Sequence, residues 1–296
     1  MKKIFLAMFS ILLLITGCSK EGRINKNDSE KLVVYASFYP LYFLADEIGK
    51  ENIDLRVVIP NGVESHDYDP SIKQLKEMED AEVFIYNGAG FESWADKLLN
   101  TIVEDEKVLK ASDEVNLIIS DGGPDPHLWL NPENMNKIGE KIKDRFILLD
   151  EVNREKYEKN YKELSNRLKE LDEKYLEILK DKKKNGVLVS HAAFAYMAEK
   201  YDFQQISVAG ISPEQEPSPK TIANIIEIAK NGDFKYIFLE TLSNPKTVDI
   251  IAEEANLETL VLNPIEGLTE EEVASGEDYI SIMEKNLNNL AKELVR

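Results

Sequence analysis

Cysteine occurs once in 296 residues, at Cys18. A disulfide within the chain and a thiolate metal cluster are therefore excluded. Basic residues are outnumbered, with 36 Lys and Arg against 55 Asp and Glu, for a formal charge of −19. Such a chain repels a phosphate backbone, so nucleic acid is not an expected partner. Glycine-rich dinucleotide fingerprints and P-loops are missing, which removes a nucleotide site. Histidine is the third scarcity: His66, His127 and His191 are all there are.

Long apolar runs are missing beyond the first 17 residues. MKKIFLAMFSILLLITG has a basic start and an apolar centre too short to span a bilayer comfortably, which reads as a secretory signal over residues 1–17. Leu14-Ile15-Thr16-Gly17-Cys18 resembles the lipobox of bacterial lipoproteins, which implies that Cys18 becomes the acylated first residue of an extracytoplasmic protein. A plain cleaved signal with an incidental cysteine is the alternative. Removing residues 1–17 deletes Lys2 and Lys3 and no acid, taking the charge from −19 to −21. That acidity discourages a second, electrostatic hold on anionic lipid, so the acyl group has to anchor the protein. Residues 18–30 read as a flexible tether.

The remainder exceeds one ordinary core. Short β-branched runs (KLVVYAS, IDLRVVIP, EVFIYNG) alternate with helical patterns (YPLYFLADEIGK, PSIKQLKEMED) over residues 31–150, and the alternation restarts at GVLVS and continues through FQQISV, KYIFLE and ETLVL over residues 185–296. Strand, helix, strand is the order of a parallel sheet flanked by helices. The expected architecture is α/β: two lobes, each with a mainly parallel sheet, joined by a helix within residues 151–184. That connector has no Gly or Pro from Asn153 to Lys184 and repeats apolar or aromatic residues at Tyr157, Tyr161, Leu164, Leu168, Leu171, Tyr175 and Ile178. It reads as one amphipathic helix of roughly 42 Å, a strut that leaves little bending between lobes. The same spacing also suits a coiled-coil pairing segment.

His66 follows the strand IDLRVVI, His127 lies in GPDPHLWLNP, and His191 follows GVLVS. The carboxyl edge of an open α/β sheet is where ligands bind. Separations of 61 and 64 residues exclude a local finger or an HExxH helix, so any shared site must be assembled by the fold. Singly, each imidazole reads as a hydrogen-bonded loop residue. Jointly, three scarce histidines in one kind of position point to one shared purpose, and a carboxylate just past ETLVL, where Asn263 and Glu266 stand, would complete the set.

Ser65-His66 with Tyr68, Pro70 and Ser71, the run Asp125 to Pro132 (DPHLWLNP), Ser190 to Tyr196 (SHAAFAY) and Leu262 to Leu268 (LNPIEGL) together resemble the cluster A-I metal-binding lipoproteins of bacterial ABC importers for zinc and manganese. The resemblance spans nearly all of the mature chain. It implies two lobes joined by one rigid helix, a metal between them, and delivery to a membrane permease with a cytoplasmic ATPase, by a monomer. It places ligands at His66, His127 and His191. For the fourth, relatives often have Asp where this chain has Asn263; an amide is a poor ligand for a dication, and the longer Glu266 three residues on takes the role. Glu266 as a helix N-terminal acid is the competing reading. Three imidazoles and one carboxylate form a nitrogen-rich, four-coordinate set that favours Zn²⁺, with Mn²⁺ second.

The His-rich loop that many zinc-specific relatives carry before the second ligand is missing. Asp67, Asp69, Asp121 and Asp125 either attract cations to the site or cap turns. Trp94 and Trp129 read as core residues, and residues 207–219 as an ordered loop near the cleft opening. An enzyme would need an open fourth position and a general base, for which only Glu64 offers itself. A surface adhesin lipoprotein is the remaining alternative, compatible with transport.

Overall fold

The structure is a computed structural model that describes residues 31–95, 107–120 and 123–296. Cys18, the signal and tether segments, and Asp121 lie outside them. Ten strands and nine α-helices are described. The first lobe runs β1 (Leu32–Ala36), α1 (Tyr39–Gly49), β2 (Ile53–Val57), α2 (Ile72–Glu77), β3 (Val83–Tyr86), β4 (Val108–Lys110), a two-residue hairpin of β5 (Ile119–Ser120) and β6 (Gly123–Pro124), and α3 (Pro132–Leu149). The long helix α4 (Arg154–Leu179) follows. The second lobe is β7 (Gly186–Val189), α5 (Ala195–Lys200), β8 (Gln204–Ser207), α6 (Pro219–Asn231), β9 (Tyr236–Leu239), α7 (Lys246–Ala255), β10 (Glu258–Val261), α8 (Glu270–Ala274) and α9 (Tyr279–Leu294).

Each lobe holds a four-stranded parallel sheet, ordered β2-β1-β3-β4 in the first and β10-β9-β7-β8 in the second. Counted within its own lobe, each sheet has the order 2-1-3-4. Connections leave the first strand in one direction and the third in the other, opening a crevice between those two strands at their carboxyl ends. β1 and β3, like β7 and β9, are nearly continuous apolar runs because helices cover both faces. The three-residue β4 and the β5–β6 hairpin were not expected; segments this short carry no readable periodicity.

The long helix is shorter than expected. A 3₁₀ turn (Glu151–Asn153) precedes α4, which stops at Leu179 rather than Lys184. Lys180-Asp181-Lys182-Lys183-Lys184 has nothing apolar to bury, so the chain peels away and donates the Lys183 and Lys184 amides to the Leu294 carbonyl at the end of α9. Ile178 is 39% exposed, and Leu179, one turn beyond Tyr175, takes the buried position instead. At about 39 Å, α4 is long enough to contact helices of both lobes. Its apolar stripe packs on α1 and α3 of the first lobe and α9 of the second, so the coiled-coil alternative has no free stripe to use.

The stripe Tyr157, Leu164, Leu168, Leu171, Tyr175 belongs to one continuous core that also contains Val34 and Ile85 of the first sheet and Val187, Val189 and Phe238 of the second. Each sheet keeps a smaller outer cluster of its own, around Phe84 and Trp94 in one and Leu188 and Ile237 in the other. The largest apolar cluster thus lies between the lobes. It resists hinge motion, because opening would expose it to water.

Candidate metal centre

Four side chains from four separate segments converge between the lobes. His66 stands on the long loop after β2, His127 just before the 3₁₀ turn leading to α3, His191 two residues past β7, and Glu266 in the turn after β10. His127 and His191 are fully buried, and the side chains of His66 and Glu266 are 7% and 6% exposed. Among the described residues they form the group in which one ligand atom from each lies within 4.8 Å of every other.

The spacing is specific. The Nε2 atoms of His66 and His127, and of His127 and His191, are 3.3 Å apart. Glu266 Oε1 lies 3.3, 3.7 and 3.6 Å from Nε2 of His66, His127 and His191. A tetrahedral ion with bonds of about 2.0–2.1 Å has ligand-to-ligand edges of roughly 3.3–3.4 Å. Five of the six separations are therefore close to those of a zinc-sized tetrahedron, and the sixth, between His66 and His191, is within 4.8 Å.

The imidazoles are oriented from behind. His127 Nδ1 lies 2.9 Å from Asp125 Oδ1, which also accepts the His127 amide. His191 Nδ1 lies 2.5 Å from Glu240 Oε1, and Ser190 Oγ donates to the same oxygen. An Nδ1–H given to a carboxylate leaves the Nε2 lone pair facing inward and raises its basicity. Asp125 is thus an orienting residue, while the exposed Asp67 and Asp69 contribute no atom to the cluster. Glu240 was not anticipated. It stands at the end of KYIFLE, 49 residues from its partner, and its only signal was an acid at the carboxyl end of a buried strand.

Both crevices serve the site. In the second sheet β7 delivers His191 and β9 delivers Glu240. In the first, Asn87 after β3 donates Nδ2–H to the Pro126 carbonyl (2.8 Å), fixing the loop that carries His127. Glu92 holds that corner by accepting from the Asn87 and Gly88 amides and from Ser37 Oγ. Trp94 belongs to an outer core cluster. Trp129 is core as well, fully buried, yet its ring centroid is 5.3 Å from that of His127 and its Nε1–H donates to the Pro264 carbonyl (2.7 Å).

Charge follows from this packing. Burial pushes the Glu266 carboxyl up, but the hydrogen bond and charge of His66, then the charge of His191, outweigh it and hold the group at about 2. For His191 burial acts downward, and Glu240 and Glu266 reverse it to a raised value. For His127 burial dominates, so its pKa is lowered despite Asp125. Burial raises Glu64, whose carboxylate caps the His66 and Asp67 amides. It lines a small cleft beside Glu266, together with Pro213 of the 207–219 loop and Glu240.

Asn263 is engaged away from the cluster. Its Oδ1 accepts the Ile265 amide (2.7 Å), its Nδ2 donates to Glu272 (2.9 Å), and both its backbone groups are taken by Asn286. Glu266 is not a helix N-terminal acid either, since α8 begins four residues later at Glu270, with Thr269 as its N-cap and Glu272 closing the capping box.

Residues 34–293 match the family model described as "ZnuA: Zinc-uptake complex component A periplasmic". The chain belongs to the ZnuA family. By that description members are periplasmic components of zinc-uptake complexes, a binding role rather than an enzymatic one. The high-affinity zinc uptake protein ZnuA of Bacillus subtilis is 34% identical over 301 residues, covering 96% of this chain and 94% of its own. The zinc-binding lipoprotein AdcA of Streptococcus pneumoniae is 34% identical over 98% of this chain, which spans 60% of that relative's length. The crystal structure of AdcA's Zn(II)-bound ZnuA-like domain superposes with a TM-score of 0.81, at 34% identity over 90% of this chain and all of that domain. The laminin-binding protein Lmb of Streptococcus agalactiae, described as an adhesin with metal-transporting activity, gives 0.81 at 28% identity, covering 89% of this chain and 99% of its own.

Glu240→Ala removes the orienting carboxylate without touching a ligand atom. Loss of such a partner costs 10- to 100-fold in metal affinity. Isothermal titration with zinc is expected to show a decrease in that range with one-to-one stoichiometry retained.

Proposed function

We propose that this ZnuA-family chain is the extracytoplasmic, lipid-anchored Zn²⁺-binding component of an ABC importer. It takes the ion with His66, His127, His191 and Glu266 and hands it to a membrane permease driven by a cytoplasmic ATPase. Residues 1–17 are the signal, Cys18 carries the acyl chain, residues 18–30 form the tether, and a monomer with lobes at 31–150 and 185–296 joined through 151–184 does the binding. The observation that carries this reading is the set of three Nε2 atoms and one carboxylate oxygen, five of whose six separations are 3.3–3.7 Å and all of which lie within 4.8 Å. Nitrogen-rich four-coordination suits Zn²⁺, whereas Mn²⁺ prefers more oxygen. No helix among the described residues is long and apolar enough to cross a membrane.

The test is competitive titration of the metal-stripped soluble chain, from Glu21 onward, with Zn²⁺ and Mn²⁺, beside Glu266→Ala. One-to-one binding with zinc preferred, and a variant weakened roughly 100-fold, is the expected result, since each ligand carries about a quarter of a binding energy of about 10–16 kcal/mol. Preference for manganese, or a variant equal to the parent, overturns the ion or the ligand set. The likeness to Lmb favours adhesion as a second, compatible role; it requires laminin binding that survives loss of all three histidines.

A further inference from the structure

Ile265, immediately before Glu266, has φ +60° and is fully buried. Among the described residues it is the only β-branched one in the left-handed region, a conformation in which its Cβ branch crowds the backbone. Such a conformation persists only where the surroundings over-determine it, and here they do. From the first lobe, the indole of Trp129 donates to the Pro264 carbonyl at 2.7 Å, and Ser65 Oγ donates to the Glu266 carbonyl at 3.3 Å. From the second lobe, Asn263 Oδ1 accepts the Ile265 amide at 2.7 Å, while Asn286 clasps Asn263 by accepting its amide (2.8 Å) and donating to its carbonyl (2.7 Å). None of these side chains supplies an atom to the cluster of three imidazoles and one carboxylate.

We infer that Trp129, Asn263 and Asn286 are positioning residues for the fourth ligand: they hold Ile265 in the left-handed turn that sets the Glu266 carboxylate on the three imidazoles. This rests on Glu266 being a ligand. Without the clasp, isoleucine returns to negative φ, the chain direction at Glu266 changes, and the carboxylate leaves the tetrahedron. The Trp129 and Asn286 contacts come from opposite lobes, so the fourth ligand is in place only while both lobes grip the turn.

Asn286→Ala and the double variant Asn286→Ala/Ile265→Gly separate this from ordinary structural support. Glycine adopts positive φ about as readily as negative, so it removes the tendency to leave the turn while also removing buried side-chain packing. In chelator-competed zinc titrations of the mature chain, Asn286→Ala is expected to bind about tenfold more weakly than the parent, within the range for lost outer support. Adding Ile265→Gly should recover at least threefold of that affinity while lowering the melting temperature of the metal-free protein further. Support that is merely structural would move affinity and melting temperature together. Affinity of Asn286→Ala within twofold of the parent, or a double variant that recovers nothing, overturns the inference. Should Asn286→Ala not fold, Trp129→Phe keeps an aromatic ring in the core while removing the N–H donated to Pro264 together with the five-membered part of the indole, and is read by the same two criteria. Glu266→Ala is titrated alongside: if it binds zinc as the parent does, the ligand assignment fails instead.

Discussion

His127→Ala is expected to weaken zinc binding by roughly 10²- to 10³-fold, the largest single-residue effect in the molecule. About a quarter of a total of about 10–16 kcal/mol is lost with one of four ligands. His127 sits at the low end of exposure and the centre of the cluster, with its Nε2 within 3.3 Å of both other imidazoles. Its removal also strips Asp125, 2% exposed, of the ring it orients. A buried carboxylate left with fewer partners costs free energy on its own account. Chelator competition measures the first effect, and a lowered melting temperature of the metal-free variant measures the second. A variant that retains affinity within threefold would remove His127 from the site.

Acidification is expected to have the second-largest effect. Zinc requires each Nε2 lone pair, so a proton on any of the three rings competes with it. Burial acts against a charge on His191, but Glu240 and Glu266 raise its pKa above the ordinary 6.5, so competition there begins above that value as pH falls. His127, lowered chiefly by burial, joins only in more acidic solution. Between pH 7.5 and 5.5 the affinity should fall by about ten- to a hundredfold, since each competing proton lowers it about tenfold per pH unit below the pKa of its imidazole. A flat profile over that range would count against a three-histidine site.

The metal-free protein should respond in the opposite direction over the same range through His191. A raised folded pKa contributes stability that is fully present below the unfolded 6.5 and is lost as pH rises through the folded value. Glu266, held at about 2, contributes stability present above its ordinary 4.5 and lost as pH falls toward 2. Melting temperatures with and without zinc, measured from pH 5.5 to 7.5, should therefore diverge as pH rises.

Strands such as β1, β3, β7 and β9 were legible because sheet burial on both faces writes unbroken apolar runs into the chain. The long helix was legible from its freedom from Gly and Pro, but its end was not: five charged residues after Leu179 continue a helical composition while offering nothing to pack. The three histidines stood out through scarcity and their place after strands. Glu266 could be preferred over Asn263 on ligand chemistry, yet the reason Asn263 is an amide appears only in three dimensions, where both ends of its side chain are hydrogen-bonded. Glu240 stayed hidden because its partner lies in a different strand, and a pair brought together by parallel sheet order leaves no local spacing to read. The shared core was hidden for the same reason.

That core changes what a lobe is in energetic terms. Sheets with separate topologies normally suggest two units that melt independently, but Val34, Ile85, Val187, Val189 and Phe238 face the same apolar interior as α4. Either half produced alone would carry a bare inner face and lack the support that hides it. The whole chain should unfold in a single calorimetric transition, and a fragment beginning at Asn185 should aggregate rather than fold. Covalently the chain has two large sheets; cooperatively it is one body, with the four converging side chains of the candidate site at its seam.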